Sequence, residues 1–320
     1  MPKILFLAFT LFTLAFATAG ERRFYPCHRL EQPPLIDGKT DDEAWQNIPE
    51  AAGFYIFGVT GKYAVEEQTC FKAGWTADAL YFTVCSDESS PEKMVALLKD
   101  GGDLWMEDSI ELFIYPNGAP AYAHLLVNSL GSRQNKLGTM NWEAKTVVGE
   151  NNWTLEARIS FSALTRPAPQ EGDEWAVNIA RNRLTGSGNE RCTSWPLLET
   201  GFHDLPNFGR FAFKGAAGDR KIAEENEINQ KYVRDLAGKI TKCIGLAPEY
   251  EKDLSGLLKL ENGWTEAETL LKEWQRLRNE ASRTDADYRR LAKLCNDLSA
   301  LRQKSDDCIA RGIMETLFGK

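Results

Sequence analysis

Histidine is scarce, with three in 320 residues, and the chain contains neither a C-x-x-C spacing nor a D-x-D-x-D-G loop. Those absences exclude a Cys/His zinc site of the usual spacing and an EF-hand. Beyond the first twenty residues no run stays apolar for the roughly 20 positions that a bilayer crossing needs, so no membrane span is expected in the mature chain. Positive charge is short as well. The formal net charge is -8, and residues 219–320 carry 19 basic and 19 acidic side chains, so the whole excess falls on the first 218 residues, 19 basic against 27 acidic. So acidic a segment is not built for nucleic acid.

What is present begins with Lys3, a charge-free apolar run from Ile4 to Phe16, and the small residues Ala17, Thr18, Ala19 and Gly20. This run is too short to span and has the form of a secretory leader cut after Ala19. Residues 1–19 are therefore expected to be a signal peptide, and the protein to be exported: secreted, periplasmic or on the cell surface. All seven cysteines lie downstream, where oxidising conditions permit pairing and the odd number leaves one over.

From Phe24 to Phe213 short alternating runs are broken by Gly, Pro, Asn and Asp, which predicts an all-β domain over 20–215. After the flexible joint Phe213-Lys-Gly-Ala-Ala-Gly-Asp219 the period becomes helical, predicting a separate helical module over 219–320. Its apolar positions are Ile228, Tyr232, Leu236 and Ile240, then Leu271, Trp274 and Leu277 behind a Thr265/Glu268 capping box, then Tyr288, Leu291, Leu294, Leu298 and Leu301. No chemical motif occurs there, and a protein partner through these helices stays open.

One hairpin has a readable register. Thr69 to Trp75 and Leu80 to Cys85 flank a turn at 76–79, and pairing Trp75 with Leu80 sets Cys70 opposite Cys85. Opposed Cβ atoms lie about 4.5 to 5.5 Å apart, so a disulfide and two reduced, packed thiols both stay open. Later strands divide into an apolar face, such as Ile110, Leu112 and Ile114, and a mixed one carrying Glu111, Tyr115, Tyr122, His124, Asn128 and Asn178. That second face reads either as a binding surface for sugar hydroxyls or as an ordinary solvated one.

Four motifs then follow in order: Pro34-Leu-Ile-Asp-Gly-Lys-Thr-Asp-Asp-Glu-Ala-Trp45, the W-x4-L-Y-F-x-V hairpin from Trp75 to Val84, Trp105-Met-Glu-Asp-Ser-Ile-Glu-Leu-Phe113, and Phe208-Gly209. Over roughly 33–213 the chain resembles the family 9 carbohydrate-binding modules. The resemblance implies a mainly β fold, a two-sheet antiparallel sandwich, followed here by the small helical region. It also implies non-catalytic binding of a poly- or oligosaccharide, in support of polysaccharide degradation or glycan capture, and structural calcium in some members. Asp87, Glu88 and Asp108 are carboxylates near strand ends, but no spacing makes them ligands. Carried over residue by residue, Trp105 and Trp195 form the clamping pair, Glu111 is a hydroxyl partner, and Arg133 is a basic donor.

The residue types suit the chemistry, because flat C–H faces of a sugar stack on indoles and vicinal hydroxyls match a carboxylate or a guanidinium. Trp45, Trp153 and Trp175 lie on apolar faces or within a fold motif and are expected in the core. Three rival readings accompany this one. A glycosidase would use Asp108 and Glu111 across a cleft, a haem-binding electron-transfer sandwich would use Met106, Met140 and His124, and a cell-surface scaffold would bind no sugar.

Overall fold

Period-two runs become strands in the computed structural model, which describes residues 22–59, 62–63, 67–136, 142–164, 166–185, 188–260, 264–282 and 288–318. The expected leader lies outside the described residues. Twelve strands form among them: β1 (Phe24–Arg29), β2 (Tyr55–Ile56), β3 (Thr69–Trp75), β4 (Ala79–Asp87), β5 (Ser109–Tyr115), β6 (Ala123–Asn128), β7 (Arg133–Asn135), β8 (Trp142–Val148), β9 (Asn152–Ser160), β10 (Glu174–Asn182), β11 (Cys192–Ser194) and β12 (Gly209–Ala216). Three helices follow: α1 (Lys221–Leu257), α2 (Thr265–Ala281) and α3 (Tyr288–Phe318).

Two separate antiparallel sheets are not what the strands build. They run as one ladder, β7-β6-β5-β10-β12-β1-β3-β4-β9-β8, with β11 bridging β10 to β2. The join is β1, which pairs in parallel with both β12 and β3. Gly74 permits the close approach on the β3 side, since a Cβ there would sit 2.5 Å from Leu30 Cδ2. The outer strands also approach each other, because Arg133 on β7 donates to the carbonyl of Trp142 on β8 at 2.6 Å. The result is a nearly closed, barrel-like sheet around one core.

That core receives Phe82, Val84 and Leu155 from one half and Ile110, Leu112 and Ile179 from the other, with the rings of Tyr25, Phe71 and Phe211 between them. Trp45, Trp153 and Trp175 are buried, as expected. The Ile-Asp-Gly motif has a local cause. The fully buried Glu156 accepts from the backbone N–H groups of Asp37 and Gly38 at 3.1 Å each and from Trp45 Nε1 at 2.9 Å. Gly38 makes this turn at φ 89°, a left-handed conformation that favours glycine.

The predicted hairpin register holds, with Cys70 opposite Cys85 and both thiols free. The two thiols hydrogen-bond one another, which raises Cys70 and lowers Cys85 from the ordinary thiol value.

The helical part is larger than its apolar runs suggest, with helices of 37, 17 and 31 residues. Thr265 does not cap α2; Trp264 precedes the helix without a side-chain bond, and Glu268 pairs instead with Lys272 one turn on. Tyr232 meets Tyr288 near one end and Leu257 meets Gly312 near the other, so α1 and α3 run parallel. Trp274 lies against Tyr250 and bonds Ser305 while Glu266 reaches Arg311, so α2 runs back between them. The bundle stands on the sheet by one end. There Tyr232 joins Ala52, Tyr55 and Tyr63 in a shared cluster, and the buried Asn229 accepts from Ala52 N and donates to the Glu50 carbonyl, both at 2.9 Å.

Candidate functional site

On the outward face of β5, β6 and β10 lies a cleft of about 740 Å³, lined in part by Trp105, Glu111, Tyr122, His124, Asn182 and His203. Period two places its floor. Glu111 projects away from the core residues Ile110 and Leu112, and His124 and Asn182 come alongside it from the neighbouring strands.

Glu111 is buried and both its oxygens are engaged: His124 Nε2 bonds Oε2 at 2.5 Å and Asn182 Nδ2 donates to Oε1 at 2.8 Å. Phe113 stacks on the His124 ring at 4.1 Å and fixes its plane. His203 stands edge-on to both rings, 5.1 Å from each, and Tyr122 O–H donates to its Nδ1 at 2.7 Å. Burial, then the neighbouring His124, lowers the His203 pKa below its ordinary value. Phe57 and Phe202, edge to face at 5.8 Å, add an apolar wall.

Trp105 is 50 % exposed and lies on a short 3-10 turn, Leu104–Met106, at the cleft mouth. The motif around it explains how an exposed indole is held still. Leu104 is fully buried. Glu107 accepts from the backbone N–H groups of Leu97 and Leu98, at 2.5 and 2.9 Å, and from Asn128 Nδ2 at 2.9 Å. Asp108 accepts from Val95 N at 2.7 Å and Leu184 N at 3.0 Å. Lys136 pairs with Asp103 at 3.0 Å and lowers its pKa, with the Trp105 indole N–H adding a smaller effect.

Of the four residues expected in the site, Trp105 and Glu111 line the cleft and two do not. Trp195 is fully buried in the core, edge-on to Phe71 at 5.1 Å and Phe211 at 5.9 Å. It follows directly on β11, whose inward alternation carries its ring away from the cleft, so it cannot face Trp105. Arg133 lies outside as well. Its guanidinium stacks 5.6 Å from the Trp142 ring centroid and closes the barrel seam.

Asp108 and Glu111, the pair a glycosidase would use, sit an odd number of positions apart and project to opposite faces, and Asp108 is occupied by backbone donors. Met140 lies outside the described residues. Glu88, buried, is held by Arg183 Nε at 3.0 Å and Thr185 Oγ1 at 2.7 Å. Among the described residues no group of three or more His, Cys, Asp or Glu is placed to hold a metal ion.

The carbohydrate family 9 binding domain-like family matches residues 36–216, more than half of the chain, and the chain belongs to that family. It is similar in fold to a candidate carbohydrate-binding protein from Bacteroides uniformis, at 15% identity and a TM-score of 0.50, covering 61% of this chain and 100% of that one. A family 9 carbohydrate-binding module from Caldicellulosiruptor kristjanssonii, solved with cellotriose, is 21% identical, with a TM-score of 0.48 and coverage of 62% and 96%. The same module with glucose gives 21% and 0.47, with coverage of 62% and 98%. No curated protein matches the chain.

Proposed function

We propose that this protein binds carbohydrate without transforming it, and that the cleft between Trp105 and the Glu111–His124–Asn182 floor is the binding site. The observation that carries this reading is the half-exposed Trp105 indole in the same cleft as a buried polar triad. A sugar ring lays its C–H face on the indole or on the Phe57 and Phe202 wall. Its hydroxyls meet the acceptor and donor capacity that Glu111, Asn182, Tyr122 and His203 keep toward the cleft. Stacking of one ring face removes on the order of 100 Å² of apolar surface, about 2.5 kcal/mol before the cost of ordering the ligand.

Because the family 9 relative was solved with glucose and with cellotriose, neutral gluco-oligosaccharides are the first ligands to try. Export, which rests on the leader-like start, and support of polysaccharide degradation or glycan capture, which rests on the family, belong to the same reading. The decisive experiment is calorimetric titration of wild type and Trp105→Ala with glucose and cello-oligosaccharides, preceded by a glycan array. Binding by wild type that Trp105→Ala loses supports the site, whereas equal binding by both removes it. A reducing-sugar release assay on whichever glycan binds tests the absence of catalysis.

A further inference from the structure

We propose a second glycan site, for an acidic saccharide, in a groove of about 900 Å³ between the outer face of β1 and β12 and the first turns of α1. It does not depend on the cleft.

The starting point is Arg23. Its guanidinium donates to four backbone carbonyls, of Ala52 and Gly53 at 2.7 Å and of Trp195 and Ile228 at 3.3 Å, and lies 5.2 Å from the Trp195 ring centroid. Every acceptor is neutral, and among the described residues no carboxylate bonds to it. Guanidinium stays protonated even when burial lowers its pKa. A fixed cation therefore faces the groove with its charge unbalanced.

The groove adds to that charge. Its acids Glu227 and Asp235 pair with Arg220 at 4.0 Å and Lys231 at 2.6 Å, and Glu224 bonds the His28 ring at 2.8 Å. Arg22, Lys214 and Arg234 line the same groove with no ion pair among the described residues, against Glu199 and Glu224 as the lining acids without a cationic partner. With Arg23 this leaves four cations against two acids, in a chain whose formal net charge is -8.

A neutral sugar balances none of it. A carboxylate or sulfate does, through charge-assisted hydrogen bonds to guanidinium and ammonium groups. The groove also offers the exposed Phe24 ring and Leu197, against which a sugar ring lies. A uronic acid or sulfate ester on a saccharide meets both demands together, which inorganic anions do not.

The test is calorimetry on the full chain with an oligogalacturonate, a sulfated oligosaccharide, a neutral oligosaccharide of equal length, and inorganic sulfate. Lys214→Ala/Arg234→Ala is the informative variant, because both side chains are exposed and folding does not depend on them. One acidic oligosaccharide is expected to bind, about ten-fold more weakly to the double variant, more weakly at high salt, and equally to Trp105→Ala. Which of the two acidic ligands binds assigns carboxylate or sulfate as the anion. Three results overturn the site: neither acidic oligosaccharide binds, inorganic sulfate binds as tightly as the saccharide, or Trp105→Ala abolishes binding while the double variant keeps it.

Discussion

The indole of Trp195 lies against the backbone of Gly209 so closely that a Cβ on that glycine would come 2.3 Å from Trp195 Cζ3. One contact thus links the Ser-Trp-Pro segment to the Phe-Gly motif that opens the last strand. Glycine is required at 209 because the ring occupies the space a side chain would need. Trp195→Ala is accordingly expected to cost about 3 to 5 kcal/mol of stability by opening a cavity. Gly209→Ala is expected to cost about 1 to 3 kcal/mol by overpacking.

Trp105→Ala should show the opposite pattern, losing about 2 kcal/mol of glycan affinity with little change in melting temperature. Paired calorimetry and melting of Trp105→Ala, Trp195→Ala and Gly209→Ala separate the two roles. A Trp105→Ala protein that melts as low as Trp195→Ala would make that indole structural.

His203 gives a pH dependence. Its pKa in the folded protein is lowered from 6.5, by burial first and then by His124. The unfolded chain therefore takes up its proton first, so this stability is fully present above the unfolded value and declines as pH falls below 6.5. Protonation also turns Nδ1 from acceptor to donor and so reverses its hydrogen bond with the Tyr122 hydroxyl. Wild type is expected to lose more melting temperature than His203→Phe between neutral and mildly acidic buffer. Equal losses would show that His203 does not report on the cleft.

The junction between bundle and sheet rests on Asn229. Replacing it with alanine orphans Ala52 N and the Glu50 carbonyl and should cost about 3 kcal/mol. Asn229→Asp keeps the acceptor and loses the donor, so an intermediate cost is expected in a denaturant titration. The fragment Gly20 to Gly218 should fold with a lower melting temperature than the full chain, since it uncovers Tyr55 and Tyr63. Failure to fold would show that sheet and helices share one cooperative unit.

Cys70 and Cys85, opposed on neighbouring strands, are expected to join when the protein is held with oxidised glutathione, closing a short loop worth about 3 kcal/mol. Intact-mass measurement before and after alkylation detects it. Two alkylatable thiols persisting at positions 70 and 85 would rule the bond out.

Period two made half the cleft legible. Glu111, Tyr122 and His124 share the mixed polar face, and all three line the cavity. Phe57, Phe202 and His203 come from segments without alternation, so no period marks them. Trp195 misled because β11 is three residues long, too short to register as a strand, and a tryptophan just past it reads as a loop residue. Nor does any local pattern announce the parallel pairing of β1 with β12, whose partners Tyr25 and Phe211 stand far apart in the chain. Only their packing in the core brings them together.

A helix of 37 residues extends about 55 Å at 1.5 Å per residue; among the described residues α1 meets the sheet over its first turns, through Glu224, Ile228, Asn229 and Tyr232, and α3 adds Tyr288 and Arg289 on Glu50. The bundle therefore acts as a lever arm. Tension applied near Leu257, where α1 packs on α3, is shared between the anchors of both helices, while the strands β5, β6 and β10 that form the cleft floor lie off that path. A load on the far end of the bundle thus reaches the sheet through two helices and away from the cleft.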